Sequence, residues 1–165
     1  MKIRFRLAAI ASVIAIMALG LVGAGAASAS STSGGITYFC NTRNGIPPCL
    51  YSQGFRKPVK VLRSGSLTGF TVFYSKQIDG HTYSEYEQNG TKNCLEYANT
   101  ADGYTNIVRM DTCTGGRASQ LWWWDGLAVI NHYNGNCLTN ESPIPNYGLA
   151  FVDPCTGDPN QWWSS

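Results

Sequence analysis

Two stretches of this chain, Asn93-Cys94-Leu95 and Asn136-Cys137-Leu138, are each followed by a second cysteine and then by Gln-x-Trp. The first runs on to Cys113 and Gln120-Leu121-Trp122, the second to Cys155 and Gln161-Trp162-Trp163. A third pair, Cys49-Leu50, lies 45 residues before Cys94, which lies 43 before Cys137. Self-similarity at a fixed period of this length means one supersecondary unit repeated, each too small to bury its apolar face alone. Units of this kind must close around a shared core. Aligned on the Cys-Leu pairs they run over 37–82, 83–125 and 126–165.

The units are built of strands. Ile36–Phe39, Val59–Leu62, Phe70–Tyr74, Tyr83–Gln88, Tyr104–Met110, Gln120–Trp124, Leu127–Asn131 and Leu149–Val152 are rich in β-branched and aromatic residues. Gly, Asn and Pro punctuate them, as at Asp79-Gly80, Asn89-Gly90, Asn134-Gly135 and Gly157-Asp158-Pro159. Beyond residue 29 no long segment has helical periodicity, so the class is all-β, and even spacing of short strands points to a barrel-like fold. Thr37 to Cys49, Tyr83 to Cys94 and Ala128 to Cys137 read as equivalent approaches into a turn. The first unit is degenerate. It has no cysteine after Leu50, and Thr71-Val72-Phe73 stands roughly where Gln-x-Trp is expected.

The first 29 residues have the pattern of a secretory signal: Lys2, Arg4 and Arg6, then an apolar run from Leu7 to Val22, then Ala27-Ser28-Ala29. The run is short for a membrane span. The expected organisation is a signal peptide over 1–29, a flexible leader over 30–36 and one domain over 37–165. Without Lys2, Arg4 and Arg6, nine basic residues face ten acidic ones, a formal charge of −1. That balance gives no general attraction to nucleic acid, which needs phosphate neutralisation. Arg43, Arg56, Lys57, Lys60 and Arg63 nevertheless gather in the first unit against a single carboxylate, Asp79.

A secreted chain with six cysteines is expected to form disulfides. Position in the repeat pairs Cys94 with Cys113 and Cys137 with Cys155, leaving Cys40 for Cys49. Spacing offers no CxxC pair for zinc, and His81 and His132 are the only histidines. No metal or cofactor is therefore expected. Neither is catalysis: the cysteines are committed, and Glu85 and Glu87 read as a solvated strand face.

Cys-Leu, a second cysteine and then Gln-x-Trp, repeated in phase, resembles the ricin B-type lectin repeat. The resemblance implies a β-trefoil of three units with Trp122, Trp163 and Phe73 in the central core, and glutamines bracing turns. It also implies carbohydrate binding. In that family a sugar pocket places an Asp directly after the Cys-Leu pair, an aromatic two residues before the second cysteine, and an Asn before Gln-x-Trp. The second unit has Glu96, Asp111 and Ser119 at these positions; the third has Thr139, Asp153 and Asn160; the first has Tyr51 and nothing assignable further on. No unit carries the full set, and the second is best preserved.

Alternation along Gln120–Trp124 sends Trp122 and Trp124 to one face and Trp123 to the other; Trp162 is likewise turned away from Trp163. The residues expected to meet a glycan or polysaccharide are Glu96, Tyr104, Asp111, Gln120, Trp123, Asn160 and Gln161. Glu96 would accept hydroxyl hydrogen bonds, with Tyr104 or Trp123 stacking on the ring. A second expectation from another class is a protein partner, bound through the basic segment Ser52–Ser66 of the first unit, as in a toxin accessory subunit or an inhibitor.

Overall fold

The computed structural model describes residues 35–42, 47–63, 67–144 and 147–165. The expected signal peptide, most of the leader, and Arg43 lie outside these residues. The described chain forms β1 (Cys40–Asn41), β2 (Cys49–Tyr51), β3 (Lys60–Leu62), β4 (Phe70–Ile78), β5 (His81–Gln88) and β6 (Asn93–Ala101). It continues through β7 (Tyr104–Thr112), β8 (Trp122–Asp125), β9 (Ala128–Asn131), β10 (Cys137–Ile144), β11 (Tyr147–Asp153) and β12 (Trp163–Ser164). Single 3-10 turns at Ala118–Gln120 and Pro159–Gln161 precede β8 and β12.

Pairing closes these strands into two layers. β4–β5, β8–β9 and β12–β1 join the end of one unit to the start of the next. Within each unit the start meets the end, through Thr37↔Phe70, Ser84↔Trp122 and the 2.8 Å bond from Trp163 N–H to the Leu127 carbonyl. The circle closes as a barrel. Above it sit the hairpins β2–β3, β6–β7 and β10–β11, tied to one another through β7–β11, β11–β3 and a Pro58↔Arg109 bridge. This is the β-trefoil. Two of its reversals are written in local chemistry: Asp79-Gly80 and Asp102-Gly103 both take positive φ at each central position, the type I′ turn that matches strand twist.

The Cys-Leu pairs correct the sequence reading. They open strands rather than turns, because Leu50, Leu95 and Leu138 must all reach the core, where each is fully buried. The turns come earlier, at residues such as Asn89-Gly90 and Asn134-Gly135. Ile36–Phe39 contributes only the Thr37 bridge, and Gln120 lies in a 3-10 turn rather than in a strand. The disulfides pair as position in the repeat requires: Cys40–Cys49, Cys94–Cys113 and Cys137–Cys155. Each of the two longer loops restrains the unfolded chain by roughly 3 kcal/mol on chain-entropy grounds.

Trp122 and Trp163 are fully buried, and their indole N–H groups donate to the Leu95 and Leu138 carbonyls at 2.9 and 2.8 Å. The third member of the layer is Phe70, not Phe73, which is 45% exposed. Register identifies it. Trp122 faces Asn131, Trp163 faces Asn41, and Phe70 faces Gln88. The residue before each aromatic accepts an equivalent backbone bond, from His132 to Leu121, Thr42 to Trp162 and Asn89 to Gly69. Thr68-Gly69-Phe70 thus occupies the place of Gln-x-Trp. Lacking an indole, the first unit satisfies the Leu50 carbonyl with the Thr68 N–H at 3.4 Å. Phe39 completes the packing, stacked on Trp124 and edge-on to Phe70 and Tyr86.

Phe70→Ala removes a fully buried ring and should cost about 3–5 kcal/mol in denaturant unfolding with the disulfides intact, whereas Phe73→Ala should change stability by less than about 1 kcal/mol.

Candidate functional site

Glu96 begins beside Arg109, its cross-strand partner in the β6–β7 hairpin. Arg109 Nη2 reaches Glu96 Oε1 at 3.0 Å and Asp111 Oδ2 at 2.7 Å, so one guanidinium clamps both carboxylates. Arg117 Nη1 donates to the other Glu96 oxygen at 2.9 Å, and Gln120 Nε2 donates to it at 2.7 Å. Asp111 also accepts the Thr112 N–H at 2.8 Å, and Arg56 Nε stands 4.0 Å from it. Glu96 is only 4% exposed. A buried carboxylate needs ion pairs and hydrogen bonds to offset its lost hydration, and Glu96 and Asp111 have both. The second unit therefore holds an ion network where the resemblance implies a sugar pocket.

Glu85 fixes the segment that carries Arg117. It is fully buried and accepts the N–H groups of Gly115, Gly116 and Arg117 at 3.0, 2.5 and 3.1 Å. Successive backbone N–H groups form an anion nest, and here a side chain of the protein fills it. This corrects the reading of Glu85 and Glu87 as a solvated face. Glu87 is half-buried and accepts the Lys92 N–H at 2.7 Å.

The glutamines brace turns, as expected. Gln120 Nε2 donates to the Thr112 carbonyl and its Oε1 accepts from the Thr114 N–H and hydroxyl. Gln161 Nε2 donates to Thr139 and the Pro154 carbonyl, while Oε1 accepts from Thr156. Asn160 Oδ1, next to it, is buried without a hydrogen-bond partner.

Tyr104 and Trp123 do not stand with Glu96. Tyr104 is five positions along β7 from Arg109, roughly 17 Å at the rise of a strand. Trp123 lies on the other side of its strand from Trp122, as alternation predicts, half-covered by His81 at 3.9 Å and flanked by Tyr83 at 6.1 Å. His132 packs on Tyr83 at 4.7 Å. Trp162 is exposed, with its indole N–H on the Gly157 carbonyl at 3.0 Å.

Tyr104 instead belongs to a cleft of about 370 Å³ between the hairpins, lined by Lys60, Tyr104, Glu141, Gly148, Leu149 and Phe151. Each unit contributes: the first gives Lys60, the second Tyr104, the third the rest. Lys60 pairs with Leu149, which faces Glu141, while Phe151 faces Thr139. The Tyr104 and Phe151 rings meet edge to face at 6.3 Å. Asp153 lies two residues beyond Phe151 on β11. Burial raises its carboxyl above the ordinary range, partly offset by a hydrogen bond with Thr139. Glu141 is raised by burial and then by the negative charge of Asp153. Apolar ring faces beside a carboxylate and an ammonium are what a sugar ring with hydroxyls requires.

Sequence reasoning missed Glu141 as a lining residue, and missed Arg109 and Arg117. Asp102-Gly103 was the available signal for Arg109: a two-residue turn there sets Glu96 opposite Arg109. Nothing local announces Arg117 or the meeting of Lys60 with Glu141, which join different units.

Glu96→Ala would take one partner each from Arg109 and Gln120 and the carboxylate partner from Arg117, and should cost about 3 kcal/mol of stability, read by chemical unfolding. A carboxyl raised in the folded state favours folding while protonated, and that contribution is lost as pH rises through its folded value. Asp153→Asn should therefore raise the melting temperature at about pH 7 and give little gain at about pH 3, where the native carboxyl is already protonated.

The sequence pattern of the ricin-type β-trefoil lectin domain matches residues 71–163. No match is found among curated proteins. Among solved structures, the designed three-fold symmetric protein ThreeFoil is similar over 78% of this chain and 95% of its own, with TM-score 0.61 and 17% identity. The cytolethal distending toxin from Actinobacillus actinomycetemcomitans is similar over 81% of this chain and 91% of the matched chain, with TM-score 0.57 and 19% identity. At such identities the likeness is one of fold, whereas the sequence pattern spans more than half the chain and takes in every strand from β5 to β11. The chain belongs to the ricin-type β-trefoil lectin domain family.

Proposed function

We propose that this chain is a secreted carbohydrate-binding module without catalytic activity of its own, and that it holds a glycan in the cleft between the cap hairpins. The observation that carries this is the cleft itself, with Tyr104 and Phe151 presenting ring surface and Glu141 and Lys60 polar ends. A pyranose has flat C–H faces that pack on aromatic rings and a rim of hydroxyls that need donors and acceptors. Glu141 accepts, and Lys60 donates. No ion pair joins Glu141 to Lys60 among the described residues, so both are free to meet hydroxyls. Asp153, held in a partly desolvated place next to this rim, fits the pattern of stability given up near a binding site. The secreted location follows from the signal-like first 29 residues.

Membership of the family supports the same reading, but in an altered form. The pocket positions of the second unit are filled by arginine–carboxylate pairs, and those of the third hold Thr139, Asp153 and Asn160. Binding through the cleft uses residues two positions further along the β10–β11 hairpin. A second reading, a protein partner on the basic first unit, is favoured by the exposure of Phe55 and Arg56 on its loop.

The test is a broad panel of neutral glycans against the purified chain, followed by titration of the best ligand. Tyr104→Ala and Phe151→Ala should each weaken that ligand by about tenfold, the scale of one aromatic contact. Silence across the panel, or full binding by both variants, would remove the cleft from consideration and leave the protein-partner reading ahead.

A further inference from the structure

The loop of the first unit is pinned across the hairpin of the second. Arg56 N–H donates to the Met110 carbonyl at 2.8 Å, Met110 N–H to the Lys57 carbonyl at 3.4 Å, and Val59 N–H to the Val108 carbonyl at 2.8 Å. Arg56 itself has φ 57°, a left-handed conformation that a side chain larger than glycine adopts at a cost. These contacts hold its side chain at the edge of the Glu96–Arg109–Asp111–Arg117 network. There the guanidinium lies over the Phe55 ring, 5.0 Å from its centre.

The network has a surplus of positive charge facing solvent. Three guanidinium groups meet two carboxylates. Both carboxylates are satisfied from within, by Arg109, Gln120 and the Thr112 N–H. Arg56 is 69% exposed, and at 4.0 Å its contact with Asp111 is too long for a hydrogen bond. Arg117 is 46% exposed and spends one side-chain donor on Glu96. A guanidinium offers five donors in a planar fork matched to carboxylate and sulfate oxygens. Most of those on Arg56 and Arg117 are unspent, and Phe55, under the Arg56 guanidinium, is 47% exposed.

We infer that this face binds the anionic group of an acidic sugar, a uronate or a sulfated residue, between Arg56 and Arg117, with Phe55 as the ring surface next to it. Arg56 and Phe55 come from the first unit and complete a site that the second unit cannot form alone. Asp111 stands where an aromatic ring would serve a neutral sugar, and the network it joins orients Arg109 inward and leaves the outer arginines to the ligand. The overall formal charge of −1 beyond residue 29 separates this from a general polyanion surface. The inference rests on the carbohydrate reading only in taking the anion to be part of a sugar.

Calorimetric titration of the purified chain with heparin oligosaccharides, as the sulfated probe, and with oligogalacturonate, as the carboxylated one, tests it. Polyglutamate is the non-sugar control. At least one acidic glycan should bind, more weakly as salt is raised. Arg56→Ala and Arg117→Ala should each lower affinity about tenfold, the double variant should bind neither, and Lys76→Ala on β4 should match the native chain. Arg56→Lys, which keeps the charge but not the fork, should fall between native and alanine. Failure of both glycans to bind would overturn the inference. So would polyglutamate binding as tightly as the better glycan, or a folded double variant that binds like native. Neutral-glycan binding reports on the cap cleft alone, so failure there and failure here are read separately.

Discussion

Three backbone carbonyls, those of Leu50, Leu95 and Leu138, sit where the barrel meets its cap, deep in the apolar interior. A buried carbonyl without a donor costs as much as a lost hydrogen bond. Two of them are met by the indoles of Trp122 and Trp163, which fill the core with their rings at the same time. One residue thus does the work of packing and of polar satisfaction. The first unit divides these tasks between Phe70, which packs, and Thr68, whose backbone N–H reaches the carbonyl. Everything above the barrel inherits its position from this layer, because each leucine opens the strand that carries the outer side chains of its hairpin.

The three hairpins share a backbone plan, but their outer faces have diverged in chemistry. The second is closed by arginine and carboxylate groups. Such pairs are expensive to desolvate and strongly destabilising to break, so the network has more weight in fixing geometry than in net stability. The third presents Glu141, raised by burial and by the charge of Asp153, to a cleft whose other walls include Lys60 of the first unit and Tyr104 of the second. The cleft is thus built at the seams between units and not within one of them.

The core was legible where a residue type carried both tasks. Trp122 and Trp163 follow from the Gln-x-Trp pattern, and the disulfides from their phase in the repeat. Phe73 failed for a definite reason. The first unit lacks the second cysteine and is shorter, with 21 residues from Cys49 to Phe70 against 28 from Cys94 to Trp122 and 26 from Cys137 to Trp163, so counting forward by their spacing overshoots Phe70. The strand assignment of the Cys-Leu pairs failed because Asn and Gly just before them are strong turn signals, and the turn they mark ends one or two residues sooner. Glu85 looked solvated because alternation treats a strand in isolation, and its nest comes from Gly115 to Arg117, thirty residues away.

The sequence by itself determined the threefold β architecture, the cysteine pairing and the two core tryptophans, because each is set by a period that local residues repeat. It also placed Trp123 on the outer side of its strand, since the pleat alternates without reference to the rest of the fold. Which polar side chains meet was decided only by the tertiary structure. Glu96 was expected to stand with Tyr104 or Trp123 and instead stands between Arg109 and Arg117; Tyr104 faces Phe151 from another unit; Arg56 arrives from the first unit at the rim of the second. Side-chain partners across a seam depend on how units rotate against each other around a common axis, and no spacing along one chain segment encodes that rotation.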